Sequence, residues 1–255
     1  MMRTRIVAVS YLNTIPFIYG IEHAGVDLRA DLSLTPPRGC AEALRDGRAD
    51  VALVPVAAIP AIAGIRIVTP FCIGASRSVR TVVLAGNCPL ERMETIRLDS
   101  HSMTSVRLVR ILAERKWRIR PMWRELDDFG ELGRPADRTG YLMIGDKVFA
   151  HEENFRYRYD LADAWREMTG LPFVFAAWVA RDGVPERTLA GLSQALDYGT
   201  RHIAEAIRCY GYDDKPYAYG YLTENIDFVF DEQKRRALEL YWRQGLRIDP
   251  PINPG

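Results

Sequence analysis

The 255-residue sequence predicts a two-lobed α/β protein with a ligand cleft between the lobes. Three observations predict it. Apolar runs alternate with helix-like stretches over residues 6–61, the rhythm of parallel strands joined by right-handed crossovers. The rhythm breaks at Gly74-Ala75-Ser76-Arg77-Ser78, where two strand-like runs follow one another without a helix, and then restarts. A short polar turn follows a strand at an equivalent place in each half, Ser10–Thr14 and Asp99–Ser105. The expected division is residues 1–78 with 176–255 in the first lobe and 79–175 in the second.

In chain order, Ile6–Val9 is a short buried strand. Pro16 suits the first turn of a helix over Ile15–Ala24. Asp27–Leu34 alternates like a strand. Thr35–Gly39 breaks the chain before a helix over Cys40–Asp46 that stops at Gly47. Ala49–Pro55 is a buried strand and Val56–Ala61 a short helix. Ile65–Ile73 and Arg80–Ala85 are the two strands on either side of the break, read as the crossing between lobes.

The second lobe begins with a strand at Thr95–Leu98, the polar turn, and an amphipathic helix over Val106–Arg115. Trp117–Met122 reads as a strand and Asp127–Arg138 as a charged link. Gly140–Asp146 is strand then turn, and Lys147–His151 starts a helix. Within Tyr157–Met168, Leu161, Trp165 and Met168 share one face of a short helix. Thr169–Arg181 reads as a buried strand crossing back. Pro185–Tyr210 reads as one long helix, Tyr217–Leu222 as a short element, Asp231–Gln244 as a helix, and Asp249–Gly255 as a loose tail.

Composition narrows the function. Hydrophobic residues make up 48% and charged residues 26%, which suits a globular protein with a sizeable core. A net charge of +1 supplies no field for nucleic acid or a membrane surface. Cys40, Cys72, Cys88 and Cys209 are far apart, and none forms a C-x-x-C pair. They read as free thiols rather than a disulfide framework or a zinc site. No secretory segment precedes the first strand and no apolar run is long enough to span a bilayer, so the expected location is cytoplasmic.

The two turns carry the candidate chemistry. Ser10, Asn13 and Thr14, and Ser102, Thr104 and Ser105, stand between a strand and a helix, where backbone N–H groups and a helix dipole suit a carboxylate. Each turn could equally be a helix cap. Asp146 and Asp99 end strands and could orient a ligand or cap a helix. His101 is a lone turn histidine. His23, His151 and His202 have no partners at metal-ligand spacing. There is no G-x-G-x-x-G, no G-x-x-x-x-G-K and no G-x-S-x-G, so nucleotide cofactors and serine hydrolysis lose ground. The tyrosines over 210–212 and 217–221 read as packing between the last helices or a dimer surface.

Taken together, Ser10-Tyr11-Leu12-Asn13-Thr14-Ile15-Pro16, Asp50–Pro55, Thr104-Ser105-Val106, Leu142–Asp146, Asp160-Leu161 to Trp165 and Thr169–Ala176 resemble chorismate dehydratase, of the futalosine route to menaquinone. The resemblance covers roughly residues 5–181 in motif order. It implies a type II periplasmic-binding-protein-like fold and cofactor-free loss of water from chorismate, giving 3-[(1-carboxyvinyl)oxy]benzoate. It implies no cofactor and no metal, chorismate as the small-molecule partner, and a monomer or homodimer. The family's first-turn asparagine falls on Asn13, and a serine used after the lobe crossing falls on Thr81, so these two are the expected catalytic residues. Ser10, Tyr11, Thr14, Ser76, Ser102, Thr104, Ser105 and Asp146 are the expected substrate-binding residues. Met103 stands where the family usually has arginine, with Arg77 or Arg80 as candidates to compensate. No strong base is visible, so a carboxylate of the substrate is the expected proton acceptor. The competing functions are a solute-binding protein for a small carboxylate and the sibling enzyme that makes 1,4-dihydroxy-6-naphthoate.

Overall fold

The computed structural model describes residues 3–99 and 102–245. Ser100 and His101 of the second turn, and the tail expected to be loose, lie outside them. The first sheet begins as the periodicity predicts. Strand β1 (Thr4–Val9) leads through a turn into α1 (Ile15–His23), then β2 (Ala30–Thr35), α2 (Pro37–Arg45) and β3 (Val51–Pro55). β1 lies between β2 and β3 and pairs parallel with both. β3 is buried at every position, so it shows an unbroken apolar run instead of alternation. The helix expected over Val56–Ala61 is only a 3₁₀ turn at Ile59–Ala61. Strand β4 (Ile65–Ala75) completes this part of the sheet.

The chain then crosses at residues 76–81. Asp160 fixes the crossing: its Oδ2 accepts from Ser78 Oγ and from the Arg80 N–H, each at 2.7 Å. The second sheet holds β5 (Val82–Gly86), β6 (Thr95–Asp99), β7 (Met122–Leu126), β8 (Thr139–Ile144) and β9 (Tyr157–Asp160), in the order β7-β6-β8-β5-β9. Both of its faces are covered. Leu84 and Leu142 join the main core, whereas Val83 and Met143 pack into a separate cluster with Leu126, Leu132, Val148 and Phe155.

Two expectations shift in this lobe. After α3 (Met103–Leu112) the helix widens into a π turn at Ala113–Trp117 and ends on Arg118 at φ +57°. The strand therefore starts at Met122, not Trp117. Within Tyr157–Met168, the first four residues form β9, and α5 (Leu161–Thr169) begins only after Asp160, whose Oδ1 accepts from the N–H groups of Ala162 and Asp163. The carboxylate that fixes the crossing thus also caps a helix. Between β8 and β9 lies the short helix α4 (Lys147–His151).

Strand β10 (Phe173–Arg181) returns to the first sheet and inserts antiparallel between β3 and β4, giving the order β11-β4-β10-β3-β1-β2. The expected long helix is two, α6 (Glu186–Arg201) and α7 (Ile203–Cys209). At the break, His202 Nδ1 lies 2.7 Å from the Tyr198 carbonyl, and the His202 N–H turns to Gly199 O at 3.1 Å. Helix α6 packs on α1 through Gly20 and Gly199, where an added Cβ would stand within 2 Å of a backbone oxygen. A helical turn, α8 (Ala218–Gly220), runs into a π turn at Tyr221–Asn225. A short edge strand follows, β11 (Asp227–Val229), which the sequence reading passed over, and then α9 (Glu232–Gly245). Among the described residues no helix is long and apolar enough to cross a membrane.

Candidate functional site

A cavity of about 540 Å³, counting its open mouth, lies between the two sheets. Its walls are the carboxyl ends of parallel strands and the turns that follow them: Val9 with Tyr11, Asn13 and Thr14, then Pro55, and from the second lobe Ile144 with Gly145 and Ser102–Ser105. This is where open α/β sheets bind ligands. Thr81, from the crossing segment, closes the back, while Ile73, Val79, Met103 and Phe175 add apolar wall.

The first turn is held from the opposite lobe. The Leu12 N–H donates to both carboxylate oxygens of Asp146, at 3.1 and 3.2 Å. Gly145 adopts φ +67°, and an added Cβ would stand 3.0 Å from the Tyr11 ring, so glycine is required there on both counts. Burial raises the Asp146 carboxyl above its ordinary range, although the Leu12 N–H and the Tyr212 hydroxyl pull it back. Burial, with Asp99 and Asp146 nearby, also raises the Tyr11 phenol, which stays neutral. Asp99 itself is fully buried and ion-paired with Lys147.

Asn13 and Thr81 meet on one group that the sequence reading missed. The Tyr221 hydroxyl lies 2.6 Å from Thr81 Oγ1 and 3.3 Å from Asn13 Nδ2. Thr14 Oγ1 donates to Asn13 Oδ1 at 3.1 Å. Tyr221 belongs to the tyrosine patch assigned to packing or a dimer surface. Only its place in the fold brings it under the cleft, because it lies 140 residues from Thr81.

The second turn is more closed. Ser102 Oγ accepts from the Ser105 N–H at 3.1 Å and caps α3. Thr104 Oγ1 donates to Phe175 O at 3.1 Å and accepts from the Ala57 N–H at 3.3 Å. Its hydroxyl is therefore engaged by the first lobe's backbone. What this turn offers a ligand is mainly the first-turn amides of α3.

Tyr11, Asn13, Thr14, Thr81, Ser102, Thr104 and Ser105 all line the cavity; Ser10, Ser76 and Asp146 do not. Ser10 is exposed. Ser76 Oγ donates at 2.6 Å to Asp227, a carboxylate shared with the buried Lys234 ammonium. Asp146 is the cross-cleft acceptor described above. Neither arginine considered as a substitute for Met103 reaches the cavity: Arg77 is exposed, and Arg80 lies over the Phe149 ring and pairs with Glu152. Among the described lining residues there is no Lys, Arg, His, Asp or Glu. Through its described lining residues the site holds an anion by neutral O–H and N–H donors and helix N-termini. Among the described residues no three His, Cys, Asp or Glu side chains gather where a metal ion could sit.

A family model for menaquinone biosynthesis matches residues 4–246. Among solved structures, protein AF1704 from Archaeoglobus fulgidus superposes with a TM-score of 0.77 at 16% identity, covering 96% of this chain and 97% of its own. An ABC transporter from Parabacteroides distasonis gives 0.67 at 14%, covering 98% and 94%. A Candida albicans protein described as having the generic periplasmic binding protein fold gives 0.63 at 11%, covering 97% and 94%. At these identities the likeness concerns the fold, and the fold is that of the periplasmic binding proteins.

Proposed function

The chain belongs to the menaquinone biosynthesis family, and from that premise we propose that it is a cofactor-free hydro-lyase converting chorismate to 3-[(1-carboxyvinyl)oxy]benzoate and water. The observation that carries this reading is the convergence of Asn13 from the first lobe and Thr81 from the crossing on one wall of an interlobe cavity whose described lining residues include no charged side chain. The reaction breaks the bond between the ring and its hydroxyl and removes a proton from the neighbouring ether-bearing carbon. The two leave as water and the ring becomes aromatic. Aromatisation supplies the driving force, so the protein has to orient the ring and stabilise charge on the departing oxygen. Neutral donors do both. With no carboxylate, imidazole or amine among the described lining residues, a carboxylate of the substrate takes the proton. The apolar walls exclude water and hold the ring. The reading includes a cytoplasmic location, in keeping with four free cysteines.

The test is to incubate the purified protein with chorismate and follow the ultraviolet spectrum. Growth of an aromatic band with release of the enol-ether benzoate is the expected result. Chorismate bound but unchanged would make the protein a binding protein. No binding, with turnover of a cyclic futalosine derivative, would assign it to the sibling enzyme. An Asp99→Asn or Asp146→Asn variant that folds and binds chorismate but has lost all turnover would give the base to the protein instead of the substrate.

A further inference from the structure

Tyr221 stands behind the cavity wall at 1% exposure. Its ring is fixed edge-on against Phe149, with centroids 5.3 Å apart. We propose that Tyr221 is a positioning residue whose hydroxyl turns Thr81 and Asn13 into a matched pair of hydrogen-bond donors aimed into the cleft. The proposal rests on the reading of that cleft as the chorismate site.

Counting hydrogens leads to this role. The Asn13 amide nitrogen can only donate, so at 3.3 Å the Tyr221 oxygen is its acceptor. The phenol's one hydrogen then needs an acceptor of its own. At 1% exposure bulk water does not supply one, and a buried hydroxyl left unbonded is costly. Thr81 Oγ1, at 2.6 Å, is the acceptor within reach. Once it accepts, the Thr81 hydrogen is left for Val79 O, distant at 3.5 Å, or for an oxygen of a bound ligand. The Asn13 amide reaches the same end: Thr14 occupies its oxygen and Tyr221 one of its hydrogens, leaving a second N–H.

The reverse arrangement, with Thr81 donating to Tyr221, strands the phenol hydrogen and presents Thr81 as an acceptor, which cannot stabilise a departing hydroxide. Burial keeps the phenol protonated by raising it far above its ordinary range. A donor that is itself accepting a hydrogen bond is also a stronger donor. This accounts for the burial of a tyrosine hydroxyl against two polar residues in an otherwise apolar region. The threonine methyl limits rotation at Thr81, and Tyr221 fixes which way the hydroxyl hydrogen points.

Tyr221→Phe keeps the ring and deletes only the hydroxyl. We expect kcat for chorismate to fall roughly 10- to 100-fold while KM changes little, the pattern of lost alignment as opposed to lost binding. In a Thr81→Val background the same change should cost clearly less than it does alone, because one of the two donors it positions is already gone. A Tyr221→Phe variant with the parent kcat, or losses that multiply in the double variant, would overturn the proposal. The parent, the two single variants and the double variant are also compared in thermal unfolding, which needs no substrate. The expected result is that the two single shifts in Tm do not add. Additive shifts would overturn the proposal even if chorismate proved inert, and chorismate inert to the parent protein with non-additive shifts would remove the dehydratase reading alone.

Discussion

The first turn, Leu12–Thr14, and the second, Ser102–Ser105, follow strands in different lobes and carry similar short polar side chains. The first is fixed from outside. Its backbone N–H at Leu12 is gripped by Asp146 across the cleft, and Asn13 is bonded to Tyr221 from the last third of the chain. The second is fixed by its own hydroxyls, Ser102 as a cap and Thr104 as a strut between Ala57 and Phe175. A hydroxyl or amide is available to a ligand only to the extent that the protein has not already used it. In the first turn the backbone carries the structural load and the Asn13 side chain keeps a free donor. In the second turn the side chains carry the load and the helix amides remain.

Breaking the first turn's chemistry should have the largest effect. Asn13→Ala is expected to lower turnover of chorismate roughly 100- to 1,000-fold, far more than would be explained by the loss of about 1–3 kcal/mol of stability from leaving the buried Thr14 hydroxyl without its acceptor. Turnover at the parent rate would return this turn to the role of a helix entry.

Thr104→Val should do the reverse. It leaves the Ala57 N–H unpaired in a buried place, although the Phe175 carbonyl keeps the Val56 N–H, at a cost of about 1–3 kcal/mol in denaturant unfolding, while kcat at a permissive temperature falls far less than in Asn13→Ala. A collapse of kcat with stability unchanged would show that Thr104 touches the substrate. Ser102→Ala removes a cap and should cost about 1 kcal/mol, again with kcat near the parent value.

The smallest effect concerns the cross-cleft carboxylate. Burial raises the Asp146 carboxyl in the folded protein, so folding favours its protonated form more than the unfolded chain does. The stability it contributes is complete below the ordinary carboxyl range, about pH 4, and is lost as pH rises through the raised folded value. Asp146→Asn retains an oxygen for the Leu12 N–H without the charge. Its unfolding temperature should match the parent's near pH 4 and equal or exceed it near pH 7. A variant less stable than the parent by more at pH 7 than at pH 4 would mean that the ionised carboxylate is a net stabiliser of the cross-cleft contact with Leu12.

Much of the fold is legible in the sequence because local rules decide it. The apolar runs at Ile6–Val9 and Val51–Pro55 are strands because their neighbours bury both faces, and Pro16 stands in the first turn of α1, whereas Pro37, Arg38 and Gly39, expected in the break before Cys40, already form the first turn of α2, with Pro37 at its first position. The misplacements occur where one contact overrides a local preference. His202 breaks a continuous helical pattern by taking up the Tyr198 carbonyl, and Arg118 in the left-handed region delays β7. The site shows the same limit. Both turns were visible as polar stretches between strand and helix, but the use of Ser76 by Asp227 and of Thr104 by Phe175 depends on segments distant in sequence. Tyr221 lies in a tyrosine-rich stretch whose composition fits packing as well as a site, and nothing local separates the two.

The sequence by itself determined which residues could supply chemistry to a cleft: short neutral donors at two strand ends, with no phosphate loop and no metal-ligand spacing. It could do so because residue type and position relative to a strand end are local properties. Only the tertiary structure decided which of those donors remain available and which way their hydrogens point. Those properties depend on partners from about fifty to two hundred residues away, and in a buried site every donor and acceptor must be matched at once.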